Sequence, residues 1–167
     1  MLSSDILLHI FENYINFCTK IKVRMLCVSM KSLPIYSIPD SHNYMNIPYN
    51  ILKTFNLTTL DLCYNDIVID FEIVTITTLK KLNLECNEII TNYGILFMTN
   101  LTELSLLSNN TITSDGIINM TNLTNLNLTR TNSITNYGIR NMTNLTRLTL
   151  INNRNITRNG IRNLTKY

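Results

Sequence analysis

Tryptophan, alanine and glutamine are absent from the 167-residue chain, and histidine occurs only at His9 and His42. The missing residue types read as codon bias and carry no chemistry. Scarce histidine is more informative, because neither imidazole has a serine or cysteine partner in a recognisable nucleophile motif. The four glycines, Gly94, Gly116, Gly138 and Gly160, form neither a phosphate-binding loop nor a dinucleotide fingerprint, and the scattered acids form no calcium loop. Cys18, Cys27, Cys63 and Cys86 lack the paired spacings of a zinc site. No metal, no cofactor and no enzymatic activity are therefore expected.

No run approaches the ~18 apolar residues of a membrane span. The start, MLSSDILLHIFENY, has no basic leader region, and Asp5 and Glu12 interrupt its apolar stretch. The expectation is a cytoplasmic or nuclear protein with free thiols, no membrane partner and unused glycosylation sequons. A content of 45% hydrophobic and 15% charged residues belongs to a folded chain.

What is present is a rhythm. MTNL begins at Met98, Met120 and Met142, and units begin at Leu57, Leu79, Leu101, Leu123 and Leu145, every interval being 22 residues. Within a unit, apolar residues stand at positions 1, 4, 6, 12, 17 and 20, with Asn at position 9. The third unit shows Leu101, Leu104, Leu106, Asn109, Ile112, Ile117 and Met120 in those places, and the fourth departs once, with Thr131 in place of Asn. Alternation at positions 4 and 6 predicts a short strand with one face buried. Asn at position 9 predicts a ladder of amides bonding backbone groups at the turn. All four glycines stand at position 16, which predicts either a positive φ or close packing at the start of a short helix. Asn100, Asn122 and Asn144, inside MTNLT, read as turns leading into strands. No unit can bury its apolar face alone, so the stack is the fold.

The pattern L-x-x-L-x-L-x-x-N over residues 57–167 resembles the leucine-rich-repeat family. ITNYGI, residues 134–139, is similar to the second half of repeats in that family's F-box-associated branch. The resemblance implies an α/β solenoid, with parallel strands on its concave face and short helices or 3-10 turns on its convex face.

Residues 34–56 hold all three prolines and read as a degenerate capping repeat or a linker. Residues 1–33 carry no repeat and predict two or three short helices, over LSSDILLHIFENYI and KIKVRMLCVSMKSL. Leu2, Asp5, Ile6, Leu7, Ile10 and Phe11, followed by Leu26 and Cys27, resemble the F-box outline; Ser3 stands where Pro is usual and Met30 where Trp is usual. That resemblance implies a Skp-type adaptor as partner, bound through Leu2, Ile6, Leu7, Ile10, Phe11, Leu26, Cys27 and Met30. The chain would then be the substrate-recognition subunit of a cullin-RING ubiquitin ligase. The alternative is a stand-alone binding scaffold, or a decoy, whose N-terminal helices cap the stack.

Strand positions 3, 5, 7 and 8 vary from unit to unit on a constant frame, as a solenoid's binding surface does. Tyr64, Lys81, Glu85, Glu103, Leu107, Arg130, Arg147 and Ile151 are the candidates for contact with a protein target, whose identity is unknown. Charge is polarised along the repeats. Residues 57–115 hold eight acids and two lysines, net −6, and residues 116–167 hold seven bases and no acid, net +7. Arg140, Arg158 and Arg162 lack interleaved aromatics, so nucleic acid is not an expected partner.

Overall fold

The computed structural model describes residues 26–27, 57–65, 68–162 and 164. Its elements alternate strictly from Leu57 onward. Strand β2 (Leu57–Asp61) is followed by helix α1 (Asp70–Ile73), and β3 (Lys81–Asn83) by α2 (Asn92–Ile95). Next come β4 (Glu103–Ser105) with α3 (Ser114–Ile117), and β5 (Asn125–Asn127) with α4 (Asn136–Ile139). The last pair is β6 (Arg147–Thr149) and α5 (Arg158–Ile161).

From β2 to β6 the strands are parallel and in strict register, since Leu60, Leu82, Leu104, Leu126 and Leu148 are successive partners. The register equals the sequence period, so each residue stacks on its counterpart 22 positions away. Leucines at positions 1, 4 and 6 point inward and meet the position-17 isoleucines and position-20 Ile, Met or Leu from the helical side. Leu101, Leu106, Ile117 and Met120 of the third unit are wholly buried. At about 25 cal/mol per Å2 of apolar surface, this continuous core is the main source of stability. The parallel strands and one-turn helices are those of a leucine-rich-repeat solenoid.

The position-9 ladder forms as expected. Asn87 donates through Nδ2 to the carbonyls of Leu62 (3.1 Å) and Asn65 (2.9 Å) in the preceding unit. Its Oδ1 accepts from the amides of Ile89 (3.1 Å) and Ile90 (2.8 Å) in its own unit. Asn109 repeats the arrangement one unit on, bonding Leu84 and Asn87 behind it and Thr111 and Ile112 ahead. At the irregular fourth unit, Thr131 is also fully buried, and its hydroxyl donates to the Leu106 carbonyl. The MTNL asparagines are structural too. Asn100, Asn122 and Asn144 each donate Nδ2 to the carbonyl of Thr77, Thr99 and Thr121 respectively, at 2.9–3.0 Å.

Of the two explanations for glycine at position 16, the structure selects close packing, because no glycine has a positive φ. A Cβ on Gly138 would lie 3.0 Å from the Ser114 Cα, and one on Gly94 would collide with the Asp70 carboxylate. Successive helices therefore approach backbone to backbone. Left-handed backbone occurs instead at position 8, where Tyr64, Cys86, Ser108, Arg130 and Asn152 all have φ between 51° and 57°. A single αL residue turns the chain off the strand before the ladder residue, and only its recurrence in every unit reveals it.

One expectation is corrected. Leu26 and Cys27, placed by sequence in a helical stretch, form a two-residue strand, β1, antiparallel to β2. The physical reason is the exposed ladder edge of β2, whose backbone groups an extended segment can pair. Leu2, Ile6, Leu7, Ile10, Phe11 and Met30, proposed for adaptor contact, lie outside the described residues, as do the helices expected there and the segment 34–56.

Candidate partner-binding face

The strand register determines which side chains share a surface. Positions 3 and 5 point away from the leucine core and stack into two rows, about 4.8 Å between neighbours along each row. The first row is Thr59, Lys81, Glu103, Asn125 and Arg147; the second is Asp61, Asn83, Ser105, Asn127 and Thr149. Together they line an open groove of about 460 Å3 across the concave sheet. Leu60, Leu82 and Leu104 also border it, and the functional groups that its side chains offer are hydroxyls, amides and charges, suited to multipoint hydrogen bonding over a partly apolar floor.

Local bonds orient part of this surface. Lys81 Nζ lies 2.6 Å from Glu103 Oε1, pairing two of the groove's charges across adjacent strands. Both groups are largely solvated, so the pair is worth no more than about 1 kcal/mol and can exchange for a partner's charges. Asp61, Asn83 and Asn127 each accept a hydrogen bond through Oδ1 from the backbone amide two residues later, at 3.0–3.1 Å. Those turns hold the position-5 side chains down over the strand ends. Arg147 is exposed at the far end of the first row.

The eight candidate contact residues are not equivalent. Lys81, Glu103 and Arg147 line the groove. Glu85, Leu107 and Ile151 stand at position 7, along its margin; Glu85 and Leu107 are half-buried, whereas Ile151 is 63% exposed. Tyr64 and Arg130 occupy the αL turn at position 8, with Tyr64 exposed by 70%. The Tyr64 phenol is held above the ordinary tyrosine range, first by its side-chain hydrogen bond to Cys86 and then by electrostatic repulsion from the same side chain. Neither Cys63 nor Cys86 forms a disulfide among the described residues. Ile151 and Tyr64 thus place large apolar surface at opposite ends of a polar groove.

Sequence reasoning missed a second set of bonds on the convex side. The position-14 side chain of one unit holds the helix N-cap of the next. Asp70 Oδ1 accepts from the Thr91 amide (2.8 Å), Asn92 Oδ1 from Thr113 (2.9 Å), Ser114 Oγ from Thr135 (3.0 Å) and Asn136 Oδ1 from Thr157 (2.9 Å). The signal was present as threonine at position 13 in four units, a residue type favoured at N-caps. Also unforeseen were the exposed convex aromatics Phe71, Tyr93, Phe97 and Tyr137.

Among the described residues, no group of three or more His, Cys, Asp or Glu could hold a metal ion, and no helix is long and apolar enough to cross a membrane. No family model matches the chain, and no curated protein matches it. Among solved structures it is similar to an internalin (inlF) from Listeria monocytogenes, itself a leucine-rich-repeat protein, with 27% identity and a TM-score of 0.56. The similarity covers 71% of this chain and 34% of the internalin, so the chain spans about a third of that protein's length. It supports the leucine-rich-repeat solenoid and the class of protein-interaction scaffold.

Proposed function

We propose that the protein is an interaction adaptor that catalyses nothing and recruits a protein target through its concave groove and the groove's apolar margins. The observation that carries this reading is the contrast within each unit. Buried and ladder positions are nearly constant, while the row Thr59, Lys81, Glu103, Asn125 and Arg147 changes charge or size at every step on an exposed, preformed surface. Arg147 and Ile151 are the expected anchors at the C-terminal end, because Arg and large apolar groups dominate interface energetics. Affinity capture with wild type, Arg147→Glu and Ile151→Asp tests it: the expected result is a protein captured by wild type and lost with both variants. Equal capture by all three would exclude the groove.

The finer form of this reading makes the chain the substrate-recognition subunit of a cullin-RING ligase, working inside the cell, with residues 2–33 engaging a Skp-type adaptor. Its support is the resemblance of Leu2, Asp5, Ile6, Leu7, Ile10, Phe11, Leu26 and Cys27 to the F-box outline. The pairing of Leu26–Cys27 with β2 favours the other reading for that short stretch, a cap on the first repeat. A pull-down with a Skp-type adaptor separates them. Binding by wild type and loss with Ile10→Asp supports the ligase subunit; no binding by wild type leaves a stand-alone scaffold.

A further inference from the structure

The convex face carries a pattern independent of the groove. Positions 15 and 18 or 19 lie one helical turn apart and look outward together. In the N-terminal half they present Tyr93 and Phe97, each 57% exposed. In the C-terminal half they present Tyr137 and Arg140, whose guanidinium carbon sits 4.3 Å from the ring centroid, and then Arg162, with Arg158 exposed one turn before it at position 14. Asp115 stands between the halves on α3, exposed. One end of the face is therefore aromatic with an acid, and the other is a run of exposed guanidiniums.

We infer that two copies of this chain pair antiparallel through their convex faces. A two-fold contact requires a surface complementary to its own rotated image. An axis between α3 and α4 satisfies that condition, because it sets α3 against α4 and α2 against α5 of the second copy. Asp115 then meets Arg140 twice across the axis, and Tyr93 and Phe97 meet Arg158 and Arg162, where guanidiniums stack on aromatic rings. An axis through α3 itself would oppose Asp115 to Asp115, a like-charge contact that disfavours that register. Stacking on Tyr137 holds the Arg140 side chain in one orientation before association, which lowers the entropy cost of using it. The contact leaves both concave grooves open, so each dimer would offer two target sites.

Sedimentation velocity of the full chain over a concentration series is the test. Wild type at low ionic strength is expected to approach twice the 19.3 kDa monomer mass, with added salt shifting it back toward monomer. Asp115→Arg and Arg140→Asp should each be monomeric alone, whereas their equimolar mixture should dimerise, because one then carries two arginines and the other two aspartates across the axis. Phe97→Ser should weaken association by about tenfold. A wild type that stays monomeric at every concentration overturns the inference, including the case in which it binds an arginine-rich peptide instead. Either single charge variant dimerising like wild type, or a mixture that stays monomeric, overturns it as well.

Discussion

Two rows of side chains run the length of the stack, six residues apart in every unit, and they obey opposite rules. The inner row, Asn65, Asn87, Asn109, Thr131 and Asn153, is almost uniform; the concave row, Thr59, Lys81, Glu103, Asn125 and Arg147, changes at each step. The difference lies in what each row touches. Inner asparagines bond backbone atoms, which are identical in every unit, so one side chain solves every junction. Concave side chains border a groove open to solvent, and among the described residues the Lys81–Glu103 ion pair is the one salt bridge that ties their charge to a neighbour. Uniformity marks the scaffold, and variation marks the surface we propose for recognition.

The largest effects are expected in the inner row. Asn87→Ala deprives the Asn65 carbonyl and the Ile89 and Ile90 amides of their side-chain partner, while the Leu62 carbonyl keeps its bond from the Asn65 amide; each unsatisfied group costs about 1–3 kcal/mol, so a loss of about 3 kcal/mol is expected in urea unfolding, read as a lower midpoint at unchanged slope. Gly138→Ala follows. Its new methyl would press on the Ser114 backbone at 3.0 Å, an overpacking expected to cost about 1–3 kcal/mol in the same measurement.

The fourth unit sharpens the comparison in the other direction. Thr131 supplies the donor to Leu106, but a hydroxyl is too short to bond both flanking turns as Asn109 does. Thr131→Asn is expected to raise stability by about 1 kcal/mol, which thermal melting would show as a Tm about 2–4 °C higher. On the concave row the effect should nearly vanish. Lys81→Ala removes one solvated ion pair and should change stability by less than about 0.5 kcal/mol.

How much of this was legible in the sequence follows from the same contrast. Leu57, Leu79, Leu101, Leu123 and Leu145 gave away the period, and with it the strand register and the concave rows, because packing into a shared core demands the same residue type each time. The N-cap ladder of Asp70, Asn92, Ser114 and Asn136 escaped notice because its bonds need only an acceptor oxygen, and several residue types supply one. The αL turn at position 8 left no compositional mark either, since Tyr64, Cys86, Ser108, Arg130 and Asn152 share a conformation and no chemistry. Leu26 and Cys27 read as helical from local apolar spacing, whereas the open edge of β2, a tertiary feature, draws them into a strand. Within the candidate site, the groove-lining positions of Lys81, Glu103 and Arg147 were legible from register alone. The inward settling of Glu85 and Leu107 was not, because it depends on how the chain turns after each strand.

The variable side chains of the groove and its margins, unlike the position-5 residues that hold the strand-end turns, are proposed to contribute recognition and little stability. One variant carrying Tyr64→Ser, Lys81→Ser, Glu85→Ser, Glu103→Ser, Leu107→Ser, Arg130→Ser, Arg147→Ser and Ile151→Ser together tests it, measured for melting and for target capture side by side. The expected result is a Tm within about 5 °C of wild type, the scale of about one to two kcal/mol for a chain this long, and complete loss of the captured protein. An unfolded variant, or a folded one that still captures the same protein, would contradict it.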